Sequence, residues 1–264
     1  MEHVFKTISE MALDVGNICV QIMIEKEHHK NVFEVLGTAF WVTYDGIQVL
    51  VTALHVMKGI KGNAKIRING EIINLQNVKY YANDENDLAV FFLFTGNLES
   101  KSVNTISICD RKTEYSSVNR YFLIGYSQGA RNRVNLNRKE FKMMQTTFSF
   151  APLKDKVSSN TKLKDPIAFN FNLKDVYNHD VKKTNPPSFH GNSGAPVFEL
   201  LYNKQLDKHT VKLTGVFLEY HKNQHEIIAV GYEVLLDTIR KCFKKAVFQS
   251  ENRDGSRMIV FFTN

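Results

Sequence analysis

Three polar side chains have the types needed for nucleophilic catalysis: a serine, a histidine and an aspartate. Ser193 lies in Gly191-Asn-Ser-Gly-Ala-Pro-Val-Phe, His55 ends Val51-Thr-Ala-Leu-His, and Asp87 opens Asp87-Leu-Ala-Val-Phe-Phe-Leu. A serine hydroxyl is a weak nucleophile at neutral pH and needs a base within hydrogen-bonding reach; histidine, with an ordinary pKa of about 6.5, suits that role. A carboxylate on the other ring nitrogen would fix the tautomer and stabilise the imidazolium. Because these residues are far apart in the sequence, only tertiary folding can bring them together.

The glycines around the serine predict a tight turn. Glycine accepts backbone conformations that other residues avoid. The backbone N–H groups of Gly191 and Ser193 would then point to where a carbonyl oxygen becomes negative, forming an oxyanion hole. Gly194 and Pro196 would carry the chain back into a strand. The second glycine directly follows the serine, so the pattern is not the Gly-x-Ser-x-Gly elbow of α/β-hydrolases.

The three runs, with Gly37-Thr-Ala-Phe-Trp-Val before the histidine, resemble the trypsin-like, chymotrypsin-fold serine proteases in the order His, Asp, Ser. The resemblance extends from about Asp14 to the helix after Tyr232. It implies an all-β protein of two antiparallel six-stranded β-barrels, with a short N-terminal helix and a C-terminal helix. It also implies an active site between the barrels and an endopeptidase that needs no cofactor and no metal.

The sequence differs from the secreted trypsin-like proteases, and these differences indicate which branch of the family it resembles. Asn192 stands where zymogen-activated members have an aspartate, and the sequence has no Ile-Val-Gly-Gly start. We therefore expect no activation by N-terminal cleavage. Gly-Asn-Ser-Gly is similar to the HtrA-type and bacterial glutamyl endopeptidase branches. Residues 246–264 are too few for a PDZ domain.

Composition excludes other classes of protein. The chain has 264 residues, 43% hydrophobic and 23% charged, which is typical of a soluble globular protein. Its apolar runs are shorter than the roughly 18 residues of a membrane span. The N-terminus lacks the pattern of a signal peptide, and Cys19, Cys109 and Cys242 suit reduced thiols, so we expect a cytoplasmic protein that does not bind membranes. The net charge of +7 is mild and does not identify a ligand.

Hydrophobic spacing predicts mostly β structure. Residues 2–13 have the spacing of an amphipathic helix, and residues 233–245 that of a closing helix. Asn69-Gly70 between two alternating runs predicts a two-residue hairpin. Further short runs predict strands, the last over residues 256–263, whereas residues 111–119 are the weakest segment for order and a candidate link between two halves. We predict a first domain over residues 1–115, carrying His55 and Asp87, and a second over residues 116–264, carrying Ser193.

Substrate selection is expected to depend on residues close to the serine. The resemblance puts Pro187 at the base of the primary pocket, His190 beside the oxyanion segment, and Leu218 and Tyr220 on the strand that pairs with substrate. No aspartate lies at the pocket base, so the sequence favours a modest apolar side chain over arginine or lysine. A carboxylate from Glu219 or Glu233 in the pocket would instead favour arginine or lysine.

Two alternatives stay open. The chain could be a noncatalytic module that binds a protein or nucleic acid, or a dormant protease switched on by a protein partner. A basic stretch, with only Glu140 opposing it, could hold an acidic partner or nucleic acid, but a solvated loop or ribbon is the simpler interpretation: Arg131, Arg133, Arg138, Lys139 and Lys142. We expect a protein or peptide substrate rather than nucleic acid. The histidine pairs His28-His29 and His221-x-x-x-His225 lack the further ligands of a metal site.

Overall fold

The computed structural model describes residues 2–61, 63–68, 71–76, 78–92, 104–107, 115–129, 132–142, 144–150, 157, 160–171, 188–250 and 258–262. In these residues the chain forms three helices: α1 (Glu2–Gly16), α2 (Leu54–Lys58) and α3 (Tyr232–Lys245). Helices α1 and α3 confirm the two helices expected near the ends of the sequence. Nowhere in the described ranges is a helix both long and apolar enough to cross a membrane.

The first sheet has ten strands. They are β1 (Cys19–Glu25), β2 (Val32–Tyr44), β3 (Ile47–Ala53), β4 (Ala64–Ile68), β5 (Glu71–Asn74), β6 (Tyr80–Asn83), β7 (Leu88–Phe91), β8 (Ile106–Ser107), β10 (Arg133–Asn135) and β11 (Glu140–Lys142). The main order is β5-β4-β1-β2-β3-β7-β6, with β8 and β10 also paired to β2, and β11 paired to β10. All pairs are antiparallel except β2 with β8.

The second sheet has six antiparallel strands in the order β12-β9-β14-β15-β16-β13. They are β9 (Ser116–Gly125), β12 (Thr146–Phe150), β13 (Pro166–Asn170), β14 (Pro196–Asn203), β15 (Lys208–His221) and β16 (Glu226–Gly231). A separate hairpin of β17 (Ala246–Ser250) and β18 (Met258–Phe262) follows α3. These two antiparallel sheets with few helices confirm the predicted chymotrypsin-like, all-β fold class.

The strand count of the first sheet differs from the predicted six. Strand β2 has 13 residues, long enough to pair with β10 near its start and with β3 near its end. The β10–β11 hairpin comes from the basic stretch in the second half of the sequence, yet it extends the first sheet. Strand β9 begins at Ser116, so part of the segment expected to be weakly ordered is a strand. The domain boundary at residue 115 stays a prediction.

The hairpin prediction agrees with the strand register. Strands β4 and β5 pair with Ile68 opposite Glu71, which leaves a two-residue connection. The turn residues Asn69 and Gly70 themselves lie outside the described residues.

The two sheets share one hydrophobic core, and this positions the site. Phe40 and Phe91 from the first sheet, Phe122 and Leu218 from the second, and Leu235 from α3 are all buried in it. A second core, largely aromatic, lies within the second sheet. Because the shared core fixes β3 and β7 against β14 and β15, residues at these strand ends are held close together.

Candidate active site

His55 and Asp87 are brought together by the pairing of β3 with β7. Ala53, the last residue of β3, lies opposite Leu88, so the residues just beyond these strand ends are neighbours. Leu54 and Val56 are buried, which leaves the histidine side chain between them 48% exposed. The main-chain N–H of Leu54 donates to the Asp87 carbonyl oxygen at 2.8 Å. The backbone thus fixes this pair before any side-chain contact is made.

The Asp87 carboxylate accepts two hydrogen bonds from His55. Its Oδ1 accepts from the histidine backbone N–H at 2.8 Å, and its Oδ2 lies 2.5 Å from the ring Nδ1. A carboxylate at this distance requires the proton to be on Nδ1, so the neutral ring presents Nε2 as an acceptor. Lys58, on the same short helix, pairs with Asp84, and the pKa of its amine is raised chiefly by that hydrogen bond. The lysine therefore makes its hydrogen bond to Asp84 and not to the Asp87 carboxylate.

Ser193 lies in a turn packed directly against the end of β3. The Ala195 N–H closes the turn by donating to the Asn192 carbonyl oxygen at 2.8 Å. The Gly194 N–H donates to the Phe217 carbonyl oxygen, also at 2.8 Å. Gly194 has φ of +89°. A Cβ there would lie 2.8 Å from the Ala53 backbone nitrogen. Only glycine permits this approach, which puts the serine turn against the strand that leads to His55.

The Ser193 hydroxyl has its acceptor on β15. It donates to the Leu218 carbonyl oxygen at 3.1 Å, and within the described residues this is its one acceptor. The structure therefore brings the serine turn and the His55–Asp87 pair to one place, but the serine hydroxyl donates its hydrogen bond to a backbone carbonyl rather than to the imidazole.

The Asn192 side chain holds the serine turn in place through hydrogen bonds. The side chain is fully buried, and its Nδ2 lies 3.0 Å from Ser127 Oγ and 3.3 Å from the carbonyl oxygens of Ser188 and Phe189. An amide can donate to such a set of oxygens, whereas an ionised aspartate can only accept. In this chain the turn is consequently held by neutral hydrogen bonds from the amide nitrogen, while Asn192 Oδ1 is buried with no hydrogen-bond partner in the described part of the chain.

Gly191 is held by a threonine that our sequence reasoning missed. Thr38, fully buried on β2, donates its hydroxyl to the Gly191 carbonyl oxygen at 2.8 Å and accepts from the Tyr126 N–H at 3.0 Å. Gly191 has φ of +87°, and a Cβ would lie 2.6 Å from the Tyr126 oxygen. A hydroxyl within the apolar run of β2 is the sequence signal that points to such a role.

Two backbone donors beside the serine are free to bind a ligand. In the described part of the chain, no protein acceptor takes the N–H of Gly191 or of Ser193. Backbone N–H groups without partners are rare in protein interiors, and two of them beside a nucleophile can hydrogen-bond an oxygen that becomes negative.

The residues expected to select substrate have different environments. Pro187 lies outside the described residues, and His190 is exposed and accepts from the Gln128 N–H through its carbonyl. The Leu218 side chain is buried, so only its backbone faces the serine. Tyr220 stacks on Phe189 with ring centroids 4.6 Å apart, and burial raises the pKa of its phenol.

Comparisons with known proteins give similarities to solved structures only. No protein-family model matches the sequence, and no curated protein does. An HtrA-type protease, AlgW, solved with a decapeptide, is 13% identical, with 94% of this chain and 74% of that chain covered and a TM-score of 0.49.

Two plant-virus proteases are similar to the chain at comparable levels. The serine protease domain of the Sesbania mosaic virus polyprotein is 12% identical over 84% of this chain and 91% of that chain, with a TM-score of 0.45. A catalytically active tobacco etch virus protease with product is 10% identical over 94% of this chain and 82% of that chain, with a TM-score of 0.43. At these identities and TM-scores the similarities support no conclusion about the activity of this chain.

Proposed function

We propose that the protein is a serine endopeptidase in which Ser193 is the nucleophile, His55 the general base and Asp87 the group that orients the histidine. The observation that carries the proposal is the double hydrogen bond between Asp87 and His55, made next to a serine turn that presents two unpartnered N–H groups. The division at residue 115 and the cytoplasmic location stay predictions.

The mechanism follows from the protonation states that this geometry favours. His55 Nε2 takes the Ser193 proton as the hydroxyl oxygen attacks the scissile carbonyl, and later gives it to the leaving amine. The Asp87 carboxylate stabilises the imidazolium formed in between. The N–H groups of Gly191 and Ser193 hydrogen-bond the oxygen as it becomes negative. Water, activated by the same imidazole, then releases the acyl group from the serine.

A fluorophosphonate probe tests for an activated nucleophile. The probe reacts with an activated serine hydroxyl and adds a covalent mass to the protein. We expect one adduct, located at Ser193 by peptide mapping, and none in the folded Ser193→Ala variant. A folded wild-type protein that never forms the adduct would refute the proposal.

One observation favours a second candidate, a protease that is dormant until it binds a partner or substrate. In the resting structure the Ser193 hydroxyl donates to the Leu218 carbonyl oxygen. Binding of a group that takes over this carbonyl would free the hydroxyl to turn towards His55. Under this candidate the probe labels Ser193 slowly in the isolated protein, and labelling accelerates when a bound group occupies the Leu218 carbonyl without covering Ser193.

A further inference from the structure

Strand β15 changes neighbours at the serine. Up to Val216 it pairs with β14 on one edge, and from Gly215 to His221 it pairs with β16 on the other. Beyond Phe217, whose N–H donates to the Ala195 carbonyl at 2.8 Å, no strand of the described residues takes the first edge. That edge begins with the Leu218 carbonyl, which contacts the serine hydroxyl. An extended peptide whose carbonyl lies at Ser193 would therefore run along residues 218–221.

A β-bulge decides which side chains line this edge. The register shifts between Phe217 and Glu219, so that Glu219 lies opposite Ile228 and Tyr220 opposite Ile227. Cross-strand partners share one face of a sheet. Tyr220 consequently packs on the aromatic core of the second sheet, and Glu219 and His221 lie on the other face.

The face that carries Glu219 is the one turned towards the first sheet. Val216 and Val230 on this face belong to the core shared with Leu54 and Val56, the buried neighbours of His55. Glu219 continues the line of Val216 beyond the end of that core, where its side chain becomes 40% exposed. The carboxylate thus lies on the same side of β15 as the catalytic pair.

The negative charge at Glu219 is only partly engaged. Its Oε2 lies 2.6 Å from His221 Nε2, and a neutral histidine that donates there leaves the carboxylate charge in place. In the described part of the chain no lysine or arginine lies within ion-pair distance of it.

We propose that Glu219, held by His221, forms an acidic subsite that selects a lysine or arginine side chain at one position flanking the scissile bond. This inference rests on the proposed peptidase function and adds a substrate class to it. Alternate residues of an extended peptide point to opposite faces, so the position that meets Glu219 differs from a position whose side chain points to the Tyr220 face.

Matched peptides measure this selection. Each peptide carries lysine, norleucine or glutamate at one of three positions on either side of the cleavage site, with a fluorophore and quencher at its ends. At one position we expect kcat/KM to be about fivefold higher for lysine than for norleucine, the upper range for a partly exposed ion pair. The ratio should fall within twofold of unity in Glu219→Gln, and decrease between 50 and 500 mM salt because mobile ions screen the pair. The control Glu27→Gln removes a carboxylate that is 88% exposed in another turn and should keep the full ratio.

A binding measurement separates this inference from the peptidase proposal. Fluorescence anisotropy with Ser193→Ala, alone and combined with Glu219→Gln, gives the affinity of the same peptides without turnover. A fivefold preference for lysine that Glu219→Gln removes supports the subsite even if wild-type protein forms no fluorophosphonate adduct. A lysine to norleucine ratio near one at every position, a ratio that survives Glu219→Gln, or no peptide binding overturns the subsite, and if the adduct forms, the peptidase proposal stands without it.

Discussion

Replacement of Thr38 by valine tests whether the serine turn depends on the hydroxyl of β2. Valine has nearly the same shape as threonine, so the change removes the hydroxyl while keeping the packing. The Gly191 carbonyl and the Tyr126 N–H each lose their hydrogen-bond partner in a fully buried environment. Each unsatisfied buried group costs about 1–3 kcal/mol. We therefore expect the two unsatisfied groups to lower the free energy of unfolding by about 2–6 kcal/mol in total.

The same change should reduce catalysis in the molecules that remain folded. Without the hydrogen bond from Thr38, the Gly191 carbonyl no longer holds the adjoining backbone in place. The N–H groups of Gly191 and Ser193 then point less accurately at the oxygen that becomes negative. Loss of one such donor reduces kcat by about 10²–10³-fold, so a donor that is only misaligned should cost about 10- to 100-fold.

Urea denaturation and peptide hydrolysis measure the two effects of Thr38→Val. Thr38→Ser keeps the hydroxyl and should retain most of both properties. Thr214→Val serves as a second control, because the hydroxyl of Thr214 lies near the surface and makes only a 3.4 Å contact within its own strand. A Thr38→Val protein within 0.5 kcal/mol of wild type, or with activity within twofold, would refute the argument.

Further substitutions and a labelling experiment test other parts of the site. Asn192→Asp buries a carboxylate against oxygen atoms, so we expect the free energy of unfolding, measured with urea at pH 8, to fall by several kcal/mol. This loss of stability should shrink towards pH 5, because burial raises the pKa of the new carboxyl group and its protonated form can donate a hydrogen bond. A loss that is the same at both pH values would contradict this. Gly194→Ala puts a Cβ against the Thr38 carbonyl and the Ala53 nitrogen at a positive φ, so thermal melting should reveal a large loss of stability, whereas Gly46→Ala, where a Cβ meets no atom, should cost only the strain of its positive φ. Burial raises the pKa of the Cys19 thiol and raises the pKa of the Cys242 thiol to about 12. In a Cys109→Ser background, both thiols should therefore stay unmodified by iodoacetamide at pH 8 until the protein unfolds. Rapid labelling of the native protein would show that the thiols are accessible.

The sequence allowed prediction of features that depend on local chemistry. The Asn69-Gly70 pair predicted a two-residue hairpin because few other residue pairs fit such a turn. The motifs around His55, Asp87 and Ser193 were recognisable because each combines a chemical group with the turn or strand that must carry it. The contact between Asp87 and His55 depends on the pairing of β3 with β7. The motifs indicate that both residues follow or precede a strand, but they do not say which strands pair.

Features that depend on tertiary packing could not be read from the sequence. The β10–β11 hairpin is polar and has few β-branched residues, and its strands form because Val134 pairs with Phe33 and the turn bonds to Asn31 through Asn137. On β15, strict alternation puts Leu218 and Tyr220 on one face, whereas the bulge puts them on opposite faces and brings Glu219 to the cleft. A single extra residue in a strand leaves no clear pattern in the sequence.

The central claim is that Ser193, His55 and Asp87 act as one catalytic unit. The most direct test compares kcat for hydrolysis of one peptide by wild-type protein, Ser193→Ala, His55→Ala and the double variant. Groups that work only together are strongly non-additive, so each single change should lower kcat by about 10⁴-fold or more and the double variant should fall no further. Losses that multiply in the double variant, or hydrolysis that survives in Ser193→Ala, would contradict the account.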